Sequence, residues 1–288
     1  MSFQTIHLPY MCMVIGNPIA HSKSPQLHQA FAQQAGVTLS YEKLLCPNDK
    51  GSFVAVVEAF FAGDQSTKSH RGANVTVPFK EMAFDLVKQR GELSEYAKMA
   101  GAVNTLAYKD GKLYGDNTDG RGLVTDLLAK GVALEGKNVA ILGAGGATRG
   151  AILPLLQAGA NIVIFNRTVE KAENLVALFT PLKVYPSQNL LAKKLDTPHL
   201  TGVFDVIINA TSAGATGQSL NLQDTDMIAC TAYDMMYGKR TEFLQHFGQF
   251  SEVTCYDGLG MLIHQGALSF ELWTGQKVDM AKLGNPLQ

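Results

Sequence analysis

The sequence predicts a two-domain α/β protein with mainly parallel sheets. Three observations carry that prediction. Short β-rich runs alternate with longer helical patterns almost from end to end. A glycine-rich segment follows one of those runs directly and opens a helical one. The 288 residues exceed one ordinary domain of about 100–150 residues, and 46% apolar content is enough for buried cores.

In chain order, strands are expected at residues 11–15, 40–45, 73–77, 139–142, 162–165 and 206–209. Between them the helical pattern covers residues 26–34, 53–61, 80–88 and 123–130. Residues 104–114 read differently: Lys109-Asp110-Gly111-Lys112 between apolar residues is a β-hairpin signal, because Asp-Gly tolerates the positive φ of a tight turn. The polar run 63–72 reads as a flexible surface loop. A second series of βα units begins at Lys137, which places the domain boundary near residues 119–136.

A net charge of −1 with both signs interspersed offers no basic face, so no nucleic-acid partner is expected. No uncharged apolar run approaches the roughly 18 residues of a membrane span, and the N-terminus lacks a signal-peptide pattern. Cys12, Cys46, Cys230 and Cys255 are scattered without zinc-like spacing; reduced thiols, no metal and a cytoplasmic location are expected.

The segment 138–142 ends in Gly143-Ala144-Gly145-Gly146-Ala147, the strand-to-helix context a dinucleotide loop requires. Gly143 permits the turn, and Gly145 lets backbone amides approach a pyrophosphate at the helix N-terminus. Thr148 stands where the usual spacing has a third glycine. The next strand ends in Asn166-Arg167-Thr168-Val169-Glu170-Lys171, where an NAD enzyme presents a carboxylate to the ribose. Here Arg167, Lys171 and the Thr168 hydroxyl suit a 2′-phosphate, which favours NADP. The alternative is that Thr168 caps the following helix.

Three polar clusters occupy the first half. Ser22 and Ser24 lie in a loop after the first strand and suit a carboxylate or polyol, although Ser24 before Pro25 is equally a helix cap. In Asn74-Val75-Thr76-Val77-Pro78-Phe79-Lys80-Glu81, Lys80 falls in the first turn of a helix. A cation there meets the positive end of the dipole, so Lys80 reads either as a group placed for proton transfer or as an ordinary exposed lysine at a helix start. The third cluster joins 101–105 to Asn117-Thr118-Asp119-Gly120, in which Asp119 either pairs with Lys80 or caps the helix starting near Arg121.

These segments, with NATSAG at 209–214, DMMYG at 234–238 and GLGMLIHQGA at 258–267, occur in the order found in the shikimate dehydrogenases, which the chain resembles over roughly residues 11–275. The resemblance implies a substrate domain (1–119), an NADP-binding Rossmann domain (120–258) and C-terminal helices (259–288) that return to the first. It implies that Ser22 and Ser24 hold a substrate carboxylate. Asn74, Thr76, Asn104, Asp119 and Gln265 would contact the ring hydroxyls or carbonyl, Lys80 and Asp119 would form the catalytic pair, and Tyr237 would neighbour substrate or nicotinamide. Thr211, Met235 and Gly258 would join Gly143, Ala144, Gly145, Gly146, Ala147, Asn166, Arg167, Thr168 and Lys171 at the cofactor, with Ser212 near it. The implied activity is that of an NADP-dependent oxidoreductase acting on a CH–OH group, reducing 3-dehydroshikimate. A relative that accepts quinate or NAD is the nearer rival, and a non-enzymatic ligand sensor the more distant one. His21 and His264 are assigned to packing, and both monomer and homodimer stay open.

Overall fold

The structure is a computed structural model, described here for residues 9–67, 71–182, 189–195, 201–211, 213, 219–222, 226–284 and 286–287. The chain divides into two compact units, Met1–Thr118 with Gln265–Gln288, and Asp119–His264.

The first unit opens with β1 (Tyr10–Gly16), α1 (Ser24–Ala35), β2 (Leu39–Leu45), α2 (Lys50–Thr67) and β3 (Arg71–Val75). There follow α3 (Lys80–Arg90), β4 (Gly91–Leu93), α4 (Glu95–Ala100), β5 (Thr105–Lys109) and β6 (Lys112–Asp116). Its sheet runs β2-β1-β3-β5-β6-β4. The β1 strand pairs in parallel with β2 and β3, whereas β5 is antiparallel to both neighbours. The hairpin between β5 and β6 turns at Asp110 (φ 50°) and Gly111 (φ 78°), the paired positive φ of a type I′ turn. On one face, α2 and α3 bury Phe53 and Phe79 as a stacked pair at 5.2 Å, over Ile15 and Val75.

Two expectations need correction. The run 63–72 is not a loop throughout: α2 continues to Thr67 and β3 begins at Arg71, with residues 68–70 outside the described set. Once Phe53, Val57 and Phe61 anchor one face of α2, propagation costs little even through Gly63-Asp64-Gln65-Ser66-Thr67. The third strand stops at Val75 rather than 77, because its partner β1 ends at Gly16; Val77 is 62% exposed in the connection to α3.

The second unit contains α5 (Asp119–Ala129), β7 (Asn138–Leu142), α6 (Gly146–Gln157), β8 (Asn161–Asn166), α7 (Val169–Phe179), β9 (Leu190–Lys194), β10 (Thr201–Asn209) and β11 (Asp226–Asp234). It closes with α8 (Glu242–Phe247) and β12 (Thr254–Tyr256). Every pairing in its sheet is parallel, in the order β12-β11-β10-β7-β8-β9. With its first strand central and the order reversing beside it, this is the doubly wound arrangement whose switch point lies at the ends of β7 and β10. The central strand β7 and the last part of β10 read as continuous apolar runs because both faces are covered there (Val139–Leu142 and Val206–Ile208 are fully buried), whereas Leu191, Val203 and Ile228 on β9, β10 and β11 are exposed. Helices α5 and α6 touch through glycine, since a Cβ on Gly120 would lie 2.1 Å from the Gly150 carbonyl oxygen. Pro154 sits within α6 without ending it.

Helix α9 (Leu259–Thr274) starts in the second unit and from Gln265 onward belongs to the first, as does α10 (Met280–Leu283). There Trp273 donates its indole N–H to the Leu106 carbonyl at 3.0 Å, and Gln34 brackets Asp279 with two hydrogen bonds. Among the described residues no helix is long and apolar enough to cross a membrane and no cluster could hold a metal ion; all four cysteines are free thiols.

Candidate functional site

In the first unit a buried polar network gathers three of the expected substrate residues. The Asn74 amide donates to Ser269 Oγ at 3.0 Å and to the Asn104 carbonyl at 3.3 Å, while its oxygen accepts from the Tyr41 hydroxyl at 2.7 Å. Asn104 donates to Thr118 Oγ1 at 2.8 Å and to Gln265 Oε1 at 3.2 Å, and accepts the Thr118 backbone N–H at 2.9 Å. Thr105 and Ser269 share a hydrogen bond at 2.7 Å beneath them. Burial of polar groups is tolerated here because each finds a partner.

Two flanking segments complete this unit's candidates. Ser22 Oγ and Ser24 Oγ lie 3.2 Å apart, and Lys43 secures their loop by donating to the Ala20 carbonyl at 2.6 Å. Lys23 occupies the cap position of α1, and no side-chain capping bond forms, so Ser24 is not spent as a cap. Lys80 begins α3, and its carbonyl accepts the N–H of Val103, the residue before Asn104. Thr76 lies in the preceding turn so close to Gly16 that a Cβ there would meet its methyl at 2.5 Å. Burial, and secondarily the Cys12 thiol, push the Tyr41 hydroxyl well above its usual pKa, opposed by a hydrogen bond with Ser24; the hydroxyl therefore keeps its proton and serves as hydrogen-bond donor to Asn74.

In the second unit a cavity of about 460 Å³ opens at the sheet's switch point, lined by residues 143–147, Asn166, Arg167 and Thr211 among others. Gly143 has φ 103°, which only glycine adopts without strain. Cβ atoms on Gly145 and Gly146 would meet nothing, so their backbone is open to a close ligand at the start of α6. Asn166 Oδ1 accepts the Ala144 N–H at 3.2 Å, and its amide donates to the Thr168 carbonyl at 2.8 Å, linking the loop to the end of β8. Thr148, in place of a third glycine, is fully buried and donates to the Gly143 carbonyl at 2.8 Å. Thr168 is the cap residue of α7 by position but makes no side-chain capping bond. Arg167, Thr168 and Lys171 are exposed.

Three comparisons with known proteins bear on this site. The family model described as the shikimate dehydrogenase substrate binding domain matches residues 14–106. One described as shikimate / quinate 5-dehydrogenase matches 126–221, and the shikimate 5′-dehydrogenase C-terminal domain matches 258–282. The shikimate dehydrogenase (NADP(+)) of Psychrobacter cryohalolentis is 49% identical over 288 residues, 96% of this chain and 97% of its own. The chain belongs to the shikimate dehydrogenase family. A crystal structure of an Ael1 enzyme from Pseudomonas putida superposes with a TM-score of 0.82 at 36% identity, covering 98% of each chain. The shikimate 5-dehydrogenase of Thermus thermophilus, in complex with NADP(H) and shikimate, gives 0.79 at 29% identity and 98% of each chain.

Within the segments matched to the shikimate dehydrogenase family fall Ser22, Ser24, Asn74, Thr76, Lys80 and Asn104, the glycine loop with residues 166–168 and Thr211, and then Gly258 and Gln265. Asp119, Met235 and Tyr237 lie between them. Asp119 is the first residue of α5, directly after the buried Thr118. Tyr237 is 39% exposed, and partial burial raises its pKa. Met235 and Gly258 meet closely: a Cβ on Gly258 would lie 2.2 Å from the Met235 carbonyl oxygen. Ser212 lies outside the described residues. His264 stands 3.8 Å from Asp126 in a packed cluster, and burial lowers its pKa. Sequence reasoning did not single out Tyr41, Thr105, Thr118 or Ser269 for the polar network. Ser269 was within reach, because it follows Gln265 by four residues and so shares its helix face. Tyr41 carried no local signal.

Proposed function

We propose that this chain catalyses the reversible NADPH-dependent reduction of 3-dehydroshikimate to shikimate, an oxidoreduction at a CH–OH group in aromatic amino-acid (chorismate) biosynthesis. One observation carries the reading beyond family membership. After the strand that follows the glycine loop stands Asn166-Arg167 and no carboxylate, in a chain whose other unit collects Asn74, Asn104 and Gln265 into one polar network.

The residues present fit NADP. Open backbone at Gly145 and Gly146, at the N-terminus of α6, suits a pyrophosphate, and the Arg167 fork with Lys171 and Thr168 suits a 2′-phosphate. When bound, NADPH supplies the hydride. Thr211, Met235 and Gly258 complete that side of the site.

On the substrate side, Ser22 and Ser24 hold the carboxylate, and Asn74, Thr76, Asn104 and Gln265 orient the ring hydroxyls. Lys80 donates a proton to the oxygen of the ring ketone as it becomes a hydroxyl, and takes it back in the reverse direction. Asp119 holds the Lys80 ammonium and a substrate hydroxyl in register, and Tyr237 borders the ring. This assigns residues 1–119 and 259–288 to the substrate and 120–258 to NADP. The enzyme works in the cytoplasm on small molecules alone, as a monomer or homodimer.

Absorbance of the reduced nicotinamide, followed with shikimate or quinate and NADP or NAD in all four combinations, tests this reading. Fast reduction with shikimate and NADP alone is the expected result. Equal turnover with quinate or NAD moves the protein to a broader specificity, and no turnover in any combination overturns the assignment.

A further inference from the structure

At the ends of β10 and β11 a buried side chain holds three of the proposed cofactor contacts in place without lining the cavity itself. Asp234, fully buried, accepts the Met236 backbone N–H with Oδ1 at 2.9 Å. Its Oδ2 accepts the Asn209 amide at 3.1 Å and the Thr241 hydroxyl. Asn209, 1% exposed, in turn accepts both the backbone N–H of Thr211 at 3.1 Å and its hydroxyl at 2.8 Å with Oδ1.

This relay has a direct consequence for the cavity. Thr211 packs over the glycine loop: a Cβ on Gly143 would lie 3.1 Å from its methyl group. On the other arm, the Met236 carbonyl accepts the Gly258 N–H at 3.0 Å, and the Met235 N–H donates to the Asn209 carbonyl at 3.0 Å. One carboxylate therefore fixes the turn carrying Thr211 and the turn carrying Met235, to which the separate turn at Gly258 is bonded. The donor and acceptor sense of each contact is set, since a carboxylate only accepts and the Asn209 amide must point its NH₂ toward it.

We infer that Asp234 is a positioning residue for the cofactor, acting through Asn209 on Thr211 and through the backbone of Met236 on Met235 and Gly258. The inference rests on the proposed use of NADP. It concerns the pyrophosphate and nicotinamide side of the ligand, because neither Arg167 nor Lys171 is part of the relay.

The polarity of the pair supplies a test that a merely space-filling role fails. In Asp234→Asn, an amide that still accepts from Met236 points its NH₂ at the NH₂ of Asn209. In Asn209→Asp, two carboxylates face each other. In the double variant Asp234→Asn/Asn209→Asp, donor and acceptor again meet, and the bonds to Thr211 and Met236 keep their acceptors. Dissociation constants for NADPH and for 2′,5′-ADP, which lacks the nicotinamide and the full pyrophosphate bridge, are measured by calorimetry on all four proteins.

Losing a hydrogen bond of this kind predicts NADPH binding weakened roughly tenfold in each single variant. Binding of 2′,5′-ADP stays within about threefold of the wild type, and the double variant recovers most of the NADPH affinity, the coupling expected of residues in contact. Single variants that bind NADPH like the wild type, a double variant no better than the worse single one, or 2′,5′-ADP affinity falling in step with NADPH each overturn the inference while leaving the function intact. A wild-type chain that does not bind NADPH overturns both.

Discussion

Gly258 shows how little freedom single positions around the proposed cofactor site have. A Cβ there would press on the Met235 carbonyl oxygen at 2.2 Å, so Gly258→Ala must displace one of the two turns. Overpacking of this kind costs about 1–3 kcal/mol. Urea titration should show that loss, together with a raised KM for NADPH. Arg167→Ser removes a charged fork from the proposed 2′-phosphate position, a change of about 1.5–3 kcal/mol for a charge-assisted bond. Steady-state kinetics should show the KM for NADP rising by at least tenfold with that for NAD unmoved; equal effects on both cofactors sink the assignment. Lys80→Ala should lower kcat by about 10²–10⁴-fold while calorimetry still detects shikimate binding. Normal turnover in that variant removes Lys80 from proton transfer.

At the scale of elements, α9 supplies the first unit with Gln265, Ser269 and Trp273 along one helix. Its far end is seated by the contact of Trp273 with Gly72 on β3, where a Cβ would lie 2.4 Å from the indole. Gly72→Val should therefore push the helix off the sheet, lowering the thermal midpoint and the affinity for shikimate together. A midpoint and affinity equal to the wild type contradict that seating. The elements themselves were largely legible in the sequence, because strand and helix periods, Asp110-Gly111 and the strand-to-helix glycine loop are local signals. The polar network was legible only in part. Asn74 and Asn104 stood in distinctive segments, but the Asn74 partners Tyr41 and Ser269 come from β2 and α9, and no local spacing encodes pairing between residues 74 and 269. The extension of α2 to Thr67 was hidden for the opposite reason: its last turn is compositionally loop-like, and packing of Phe53, Val57 and Phe61 overrides that preference.

The whole molecule should be stable over a bounded pH window, and the sign follows from groups buried in their neutral forms. His28, enclosed by Phe31, Tyr41, Phe270 and Trp273, is pushed down to about 3 by burial, with a hydrogen bond to Asn74 opposing. Burial also lowers His246 and His264. Between the folded and unfolded values of a histidine the unfolded chain binds more protons, so stability falls as pH drops below about 6.5. Asp205, held low by the Asn138 N–H and then by Lys137, adds a loss of the same sign at lower pH. On the alkaline side, burial raises the Cys12 thiol to about 12 and the Tyr41 and Tyr233 hydroxyls above their usual values. There the unfolded chain releases protons first, so stability falls as pH rises past about 9. Urea midpoints should accordingly form a plateau between about pH 6.5 and 9, with an acid limb to which His28 alone contributes about 1.4 kcal/mol per pH unit. His28→Phe keeps an aromatic ring in the stack and cannot titrate, so its acid limb should be shallower by about that slope. An unchanged limb would mean that the ring takes up its proton within the folded protein.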